Sequence, residues 1–303
     1  MRLSIQNLAK IKNADIELNG ITVIAGDNDT GKSTVGKALY AMFNGFHDLA
    51  NNVRVQRINS ITNAVASGIA GYDEFPYKSV SYLRHTDDLL ELIPELIKGQ
   101  VLTSEIILER VKSIVEEKYG FNIFYDEEKC IDLKQRVDKI LKITDEEIVR
   151  QIIGDEFNDV FHNQVNSLHD TSVTSVKMII KSQPAKAVIA SNVCTDAEIL
   201  FNLVHSAVYV DDPLIIDRLS DGRVFINNRV VLDLMMRLRH AKNNDLLTSI
   251  VNEKTLNEVM KIIDKAVPGD FIKKDRQVVL SRSDFSEPLN VSNLSTESVK
   301  VFL

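Results

Sequence analysis

The sequence GDNDTGKS at residues 26–33 matches in full the pattern G-x-x-x-x-G-K-[ST], the signature of a phosphate-binding loop. Before it, the short β-branched run ITVIA at residues 21–25 predicts a buried parallel strand. After it, residues 33–43 carry apolar side chains at helical spacing, which predicts a helix that begins at the loop. A strand, a glycine-rich turn and a helix N-terminus together bind nucleoside triphosphates, so the motif predicts a site for ATP or GTP.

The positions of this loop have distinct predicted roles. Gly26 and Gly31 allow backbone angles that turn successive N–H groups toward one concavity, and the helix that follows adds its positive dipole end. Lys32 is expected to reach the β- and γ-phosphates, whereas the Ser33 hydroxyl is expected to bind Mg²⁺. The predicted nucleotide-binding residues are Gly26, Asp27, Asn28, Asp29, Thr30, Gly31, Lys32, Ser33 and Thr34.

Length and composition place further bounds on the protein. A chain of 303 residues with 44% apolar content is long enough for one large or two ordinary domains with a real core. Cys130 and Cys194 are the only cysteines and form no Cys-x-x-Cys pair, which excludes a disulfide framework and a cysteine zinc site. The sequence has neither an apolar stretch of membrane-spanning length nor a secretory signal. We therefore expect a cytoplasmic protein that does not contact the membrane.

The charge distribution favours one end of the chain as a nucleic-acid surface. The net charge of -7 argues against a generally basic DNA-binding protein. Residues 1–57 nevertheless carry seven Lys/Arg against five Asp/Glu, a net +2, whereas residues 86–160 carry ten against nineteen, a net -9. Any DNA contact is therefore expected near the loop, and ordinary solvated charge is the alternative. The candidate residues are Lys10, Lys12, Arg54 and Arg57.

The hydrophobic pattern divides the chain into alternating helical and strand-like blocks. Residues 1–20 predict two strands, residues 172–190 predict two more with a turn near Pro184, and residues 207–210 predict another buried strand. The predicted division is an N-terminal part of an ATPase core at 1–85, a helical insertion at 86–150, a continuation of the core at 151–231, a helical subdomain at 232–270, and a terminal strand with a signature segment at 271–303.

Two segments resemble a known family. The opening of the chain, up to the loop, resembles the start of the RecF/SMC/OLD-like ATPases, and the run NLSTESVKVF at residues 293–302 resembles the signature segment of ABC ATPases. The resemblance implies an α/β fold with a P-loop NTPase core of ABC-ATPase type, a mixed sheet and helical insertions. It also implies ATP and Mg²⁺ as cofactors, and a role in DNA maintenance or anti-phage defence with an effector protein as a possible partner.

The same resemblance implies assembly through the nucleotide. In this family ATP lies between the phosphate loop of one subunit and the signature serine of another, so Ser295 would contact the nucleotide across a homodimer or higher homo-oligomer. Glu297 stands where the family has glycine, and its carboxylate would repel the γ-phosphate unless the side chain turns away. We therefore expect either a weakened signature or an outward-facing Glu297.

Gln164 is the candidate for the glutamine that senses Mg²⁺ and the attacking water in ABC ATPases. It follows the helical insertion and precedes the second group of strands, as the resemblance implies. An ordinary surface glutamine is the alternative.

The acidic residues that hydrolysis needs are harder to place. In the family, an apolar strand ending in Asp-Glu follows the signature, but this sequence ends at Leu303, so we expect the chain to be the N-terminal part of a longer ATPase. Asp211 and Asp212 end the run AVYV and are rival candidates for Mg²⁺ and water, although two acids before a proline also begin turns. A nucleotide-sensing assembly subunit without turnover is therefore the alternative to an ATP-hydrolysing enzyme.

Overall fold

The computed structural model divides the protein into two compact units, Met1–Ser206 and Ala207–Leu303. Each unit is described by itself. The residues that the structure describes are 1–28, 30–70, 103–119, 127–167, 172–199, 201–210, 229–240, 257–258, 261, 265, 269–274 and 277–290.

Five strands of the first unit form one antiparallel sheet in the order β2-β1-β3-β4-β5. Side chains on β1 alternate, so that Leu3, Ile5 and Leu8 are buried, as expected for a strand with one face on the core. The pair β1 and β2 and the pair β3 and β4 confirm the strands predicted over residues 1–20 and 172–190. The strands are β1 (Arg2–Leu8), β2 (Ile11–Glu17), β3 (Thr174–Ile180), β4 (Gln183–Ala190) and β5 (Val193–Ile199).

Five helices among the described residues of the first unit pack on one another and on this sheet. The first confirms the helix predicted after the loop, and the last begins with a capping box in which Thr144 and Glu147 bond each other's backbone N–H groups. The helices are α1 (Lys32–Gly45), α2 (Leu49–Ala70), α3 (Ser104–Tyr119), α4 (Glu127–Lys142) and α5 (Asp145–Phe161). Helix α5 contacts α1, α2 and β5 and buries Ile153 and Phe157 completely. It therefore forms the centre of the helical layer.

The segment before the loop differs from the prediction. Residues 21–25 form no strand, and the side chains of Ile21 and Val23 are 94% and 83% exposed. A parallel strand is stable only between neighbouring strands that pair with it and cover both its faces. All the strand ladders in the described parts of the chain are antiparallel, and none of them includes this segment. The prediction of a buried strand at this position is therefore wrong.

The second unit contributes a helix and a small antiparallel sheet with strand order β6-β7-β8. Its elements are α6 (Arg229–His240), β6 (Asp270–Lys274), β7 (Gln277–Ser281) and β8 (Leu289–Asn290). The buried strand predicted at residues 207–210 is wrong, because this stretch is irregular and Val208 is 53% exposed. An apolar run of four residues has no fixed conformation of its own, and no partner strand pairs with this one in the described residues. The predicted domain boundaries stay predictions.

The contact between α5 and β5 generates a first testable prediction. A Cβ added at Gly154 of α5 would lie 3.3 Å from both the Cβ and the backbone N of Cys194 in β5, whereas one added at Gly45 meets nothing closer than 3.6 Å. Gly154→Ala should therefore force the helix and strand apart at a cost of about 1–3 kcal/mol, which outweighs the helix propensity that alanine adds. Denaturant unfolding should show Gly45→Ala to be the more stable variant, and equal stabilities would contradict the close packing.

Candidate functional site

The phosphate-binding loop turns into α1 through Gly31, which has a left-handed backbone with φ of 94°. A Cβ at this position would lie 3.0 Å from the Cγ1 of Ile11, because the turn lies directly against β2. Both the backbone angle and the close approach therefore require glycine. The glycine at the sixth position of the motif G-x-x-x-x-G-K-[ST] is thus matched by a physical need in this fold.

The N-terminus of α1 faces the loop without a capping side chain. The first intrahelical bond runs from the Val35 N–H to the Gly31 carbonyl, and no side chain bonds the amide groups of the first turn. These amides precede the hydrogen-bonded part of the helix and carry the positive end of its dipole. An anion placed before Lys32 would therefore be stabilised by main-chain donors.

Inside the loop, the lysine and the threonine hold the turn together. The Lys32 Nζ donates to the carbonyl of Gly26 at 2.8 Å and also to the carbonyl of Asp27. The Thr30 hydroxyl donates to the Asp27 carbonyl at 2.8 Å. The ammonium group therefore lies over the concavity of the loop and is bonded there to neutral carbonyl oxygens.

A cleft of about 450 Å³ opens beside this loop. Asn28, Ser33 and Thr34 line one wall together with Gly31 and Lys32. Two further lysines, Lys10 from the β1–β2 turn and Lys37 from α1, line the same cleft. The described lining residues include no aspartate or glutamate, so the cleft has the charge of an anion site.

Gln164 lines the same cleft, although it is far from the loop in sequence. It follows α5 after two residues with left-handed backbones, His162 and Asn163. Its N–H donates to the Phe161 carbonyl at 3.0 Å, and no described residue makes a hydrogen bond with its side-chain amide. The structure thus brings Gln164 into one cleft with Lys32 and Ser33, and its role in binding Mg²⁺ and water stays a prediction.

The two walls are held together by the sheet. The Ala9 N–H donates to the Val165 carbonyl at 3.0 Å, and Leu8 forms an antiparallel bridge with Asn166. The Thr174 hydroxyl, which is fully buried, donates to the carbonyl of Asn7 at 2.7 Å. The β1–β2 turn that carries Lys10 is therefore fixed relative to the segment that carries Gln164.

A second cleft of about 500 Å³ continues from the first on the β2 side of the loop. The two clefts share Lys10, Gly31 and Lys32, so that they lie next to each other. Ile11 and Ile24 contribute apolar walls to this second part. A ligand with an anionic end and a flat apolar end therefore suits these two neighbouring clefts, one lined by lysines and the other partly by isoleucines.

Some predicted site residues lie elsewhere or outside the described part. Asp27 is exposed and does not line the first cleft, which reduces its repulsion of an anion. The residues that lie outside the described part are Asp29, Asp211, Asp212, Ser295 and Glu297. Their roles stay predictions.

Sequence reasoning did not single out Lys37 or His162 as lining residues. Lys37 lies four residues after Ser33, so both occupy one face of α1, and this helical spacing was a usable signal. His162 reaches the cleft because α5 ends beside the loop, and nothing local in the sequence indicates that position. Lys10, predicted as a DNA contact, lines both clefts.

Arg57, another of the four DNA candidates, is engaged within the fold. Its guanidinium donates to the carbonyls of Ile140 at 3.1 Å and Ile143 at 2.8 Å, at the C-terminus of α4, and to the Asp145 carboxylate at 2.7 Å. Only 17% of the side chain is exposed. Cations at a helix C-terminus bond its last carbonyls and complement its dipole, so Arg57 joins α2 to the α4–α5 turn.

This arrangement generates a second prediction. Arg57→Ala should lower the free energy of unfolding by about 1.5–3 kcal/mol, because it removes charge-assisted hydrogen bonds from a largely covered group. Arg54→Ala is the matched control, since Arg54 bonds only Asn51 within its own helix. Denaturant unfolding of both variants checks the prediction, and equal losses would show that Arg57 does not join the helices.

A model of one protein family, described as an AAA domain, matches residues 2–171, more than half of the 303-residue chain. The chain belongs to the AAA domain family. The match spans both walls of the cleft, from Lys10 to Gln164. The AAA domain is a nucleotide-binding, ATPase-type domain of α/β architecture, and it commonly binds nucleotide with Mg²⁺. A search of curated proteins and a search of solved structures each gave no match.

The donors in the cleft suit Mg²⁺ bound together with phosphates. Mg²⁺ takes oxygen ligands and usually one or two from the protein, the others being phosphate oxygens and water. Ser33 supplies a hydroxyl and Gln164 an amide oxygen, and both residues line the cleft. Within the described residues there is no group of three His, Cys, Asp or Glu that would hold a metal without such a ligand.

No helix in the described part of the chain combines the length and the apolar character that a membrane-spanning helix requires.

Proposed function

We propose that the AAA domain of this chain binds Mg-ATP as an ABC-type ATPase of the RecF/SMC/OLD-like group. The observation that carries the proposal is the meeting, in one cleft, of the α1 N-terminus, three lysines and Gln164. These groups come from three separate stretches of the chain, and each suits a different part of Mg-triphosphate. Their convergence supports a nucleotide site more strongly than the loop motif does alone.

The triphosphate is held by charge and by main-chain donors. Lys32 exchanges its bonds to the carbonyls of Gly26 and Asp27 for bonds to phosphate oxygens, a change that favours binding because the new partner is ionised. Lys10 and Lys37 approach the same cleft from two sides and offset further negative charge. The nucleoside lies in the second cleft against Ile11 and Ile24, whose apolar surfaces suit a base.

Mg²⁺ supplies charge stabilisation to the phosphates when it is bound, with Ser33 and Gln164 as its protein ligands. Ser33 begins α1 and is fixed by the helix, whereas Gln164 is fixed through its neighbours in the chain. Gln164 also holds the water that attacks the γ-phosphate. The lysines of the cleft keep the triphosphate oriented during this step.

A third prediction tests the nucleotide site. Lys32→Ala should reduce ATP affinity at least about 100-fold, because the variant loses a charge-assisted contact to phosphate. Lys177→Ala, at an exposed lysine of β3, is the matched control and should bind ATP like the wild type. Titration calorimetry with Mg-ATP provides the measurement. Undiminished binding by Lys32→Ala would show that the site assignment is wrong.

The wider role follows from the resemblance of the sequence. We propose that Ser295 of a second copy completes the site, so that bound ATP holds a homodimer or a higher homo-oligomer together. The corresponding biological context is DNA maintenance or anti-phage defence in the cytoplasm, with an effector protein as a partner. Lys10 and Lys12 line the clefts proposed for the nucleotide and Arg57 is engaged within the helices, which leaves Arg54 as the DNA candidate outside the proposed nucleotide site.

A nucleotide-sensing assembly subunit is the second candidate function, and one structural observation favours it. The irregular, exposed stretch at residues 207–210 does not form the apolar strand that would carry Asp211 and Asp212 as catalytic acids. Glu297, at the position where the family has glycine, also favours a sensing subunit. A protein of this kind binds ATP and assembles on it without using turnover.

The fourth prediction separates the two functions. An ATP-hydrolysing enzyme should gain turnover in Glu297→Gly, because removing a carboxylate near the γ-phosphate removes electrostatic repulsion and restores the close backbone approach. Phosphate release and ATP affinity are measured together for the wild type and the variant. Tight binding with no phosphate release in either protein would favour the sensing subunit over the enzyme.

A further inference from the structure

The turn between β4 and β5 makes direct contact with the segment that carries Gln164. The Oδ1 of Asn192 accepts a hydrogen bond from the Val165 N–H at 3.1 Å, and its Nδ2 donates to the Asn163 carbonyl at 2.8 Å. One side chain therefore bonds the residue before Gln164 and the residue after it. Both bonds are to backbone groups, so they fix the path of the chain on either side of Gln164.

Backbone groups of the same residue extend this contact. The Asn192 N–H donates to the Oδ1 of Asn166 at 2.7 Å, and its carbonyl accepts from the Nδ2 of Asn158 at 2.8 Å. Asn166 in turn donates to the Ile189 carbonyl at 2.7 Å. The end of α5, the Gln164 segment and the β4–β5 turn are thus joined by a continuous set of amide hydrogen bonds.

The contact joins two segments whose residues have left-handed backbone conformations, with positive φ. Ser191 and Asn192 have φ of 50° and 61°, and His162 and Asn163 have φ of 52° and 59°. Ser191 and Asn192 form the two-residue turn of a β-hairpin, in which positive φ at both positions is usual. His162 and Asn163 follow the end of α5, where surrounding contacts hold this conformation. Asn192 bonds across the two segments, and it is itself a residue that tolerates this conformation.

We propose that Asn192 is a positioning residue for Gln164, so that the β4–β5 turn sets the Mg²⁺-binding geometry of the nucleotide cleft. The inference rests on the proposed function of the cleft as an Mg-ATP site. Gln164 reaches the cleft from a backbone that Asn192 holds on both sides, while its own side chain has no hydrogen-bonding partner in the described residues. Groups of this kind that orient a metal ligand typically change metal affinity when they are removed.

The first part of the test needs no nucleotide. Asn192→Gly removes both side-chain bonds and keeps the backbone angle available, because glycine adopts positive φ readily. Hydrogen exchange of the Val165 amide should become about tenfold faster, as expected from the loss of its acceptor and of a neighbouring bond. Ser191→Gly is the matched control, since it changes the adjacent residue of the same turn, which makes none of these contacts, and it should leave this exchange rate unchanged.

The second part measures ATP affinity with Mg²⁺ and with EDTA. Asn192→Gly should lower the affinity in Mg²⁺ by about tenfold, as Gln164→Ala should, with the affinity in EDTA changed less than about twofold. The double variant with both Asn192→Gly and Gln164→Ala should bind ATP in Mg²⁺ no more weakly than either single variant, because both changes act on one Mg²⁺ ligand. Asn192→Asp retains the acceptor for Val165 and should recover part of the Mg²⁺-dependent affinity.

The outcomes separate the inference from the function on which it rests. A wild-type protein that binds no ATP in either condition would refute the Mg-ATP site and, with it, the role assigned to Gln164. Normal wild-type binding with an unchanged Asn192→Gly would refute the positioning role alone. Equal losses in Ser191→Gly and Asn192→Gly would show a general effect of the turn and would also overturn the proposal.

Discussion

The hydrogen bond from the Ala9 N–H to the Val165 carbonyl joins the two sides of the cleft, and the arrangement of the site depends on it. The β1–β2 turn carries Lys10 and lies against Gly31 through Ile11, whereas Val165 follows Gln164 directly. These segments are distant in sequence and meet because β1 pairs with both β2 and β3. The buried Thr174 hydroxyl reinforces this junction by bonding the Asn7 carbonyl near the end of β1, so the antiparallel sheet acts as the rigid support of a site built on loops.

The positive charge of the cleft determines the kind of ligand that suits this site. Three lysines line one cleft, and their summed positive charge favours an anionic ligand there. Lys32 satisfies its ammonium group with the carbonyls of Gly26 and Asp27, which are neutral and therefore weaker partners than phosphate. A triphosphate would offset all three charges and would also satisfy the amides at the start of α1. The free site is thus arranged so that a polyanion improves most of its interactions, which makes binding favourable without a large rearrangement.

Local features of the site could be predicted from the sequence, whereas its non-local features could not. The glycine spacing and the helical pattern after it fix the turn at Gly31 and the start of α1, because both depend on residues next to one another. The apolar run at residues 21–25 has the composition of a buried strand, but a parallel strand depends on neighbours that the run itself does not encode. Gln164 could be proposed only from the order of segments in a resembling family. Its contact with Asn192 depends on where α5 ends relative to the β4–β5 turn, which no local pattern records.

Asn192 also connects the segment that carries Gln164 to the β4–β5 hairpin. Strand β5 is at the edge of the sheet, and its turn with β4 lies against the end of α5. A ligand that draws Gln164 inward pulls on Asn163 and Val165, and both bond the same asparagine side chain. Among the described strands, β5 pairs with a partner strand on one side, whereas β1 and β3 pair on both sides. The sheet therefore constrains the β4–β5 hairpin less than it constrains β1 and β3.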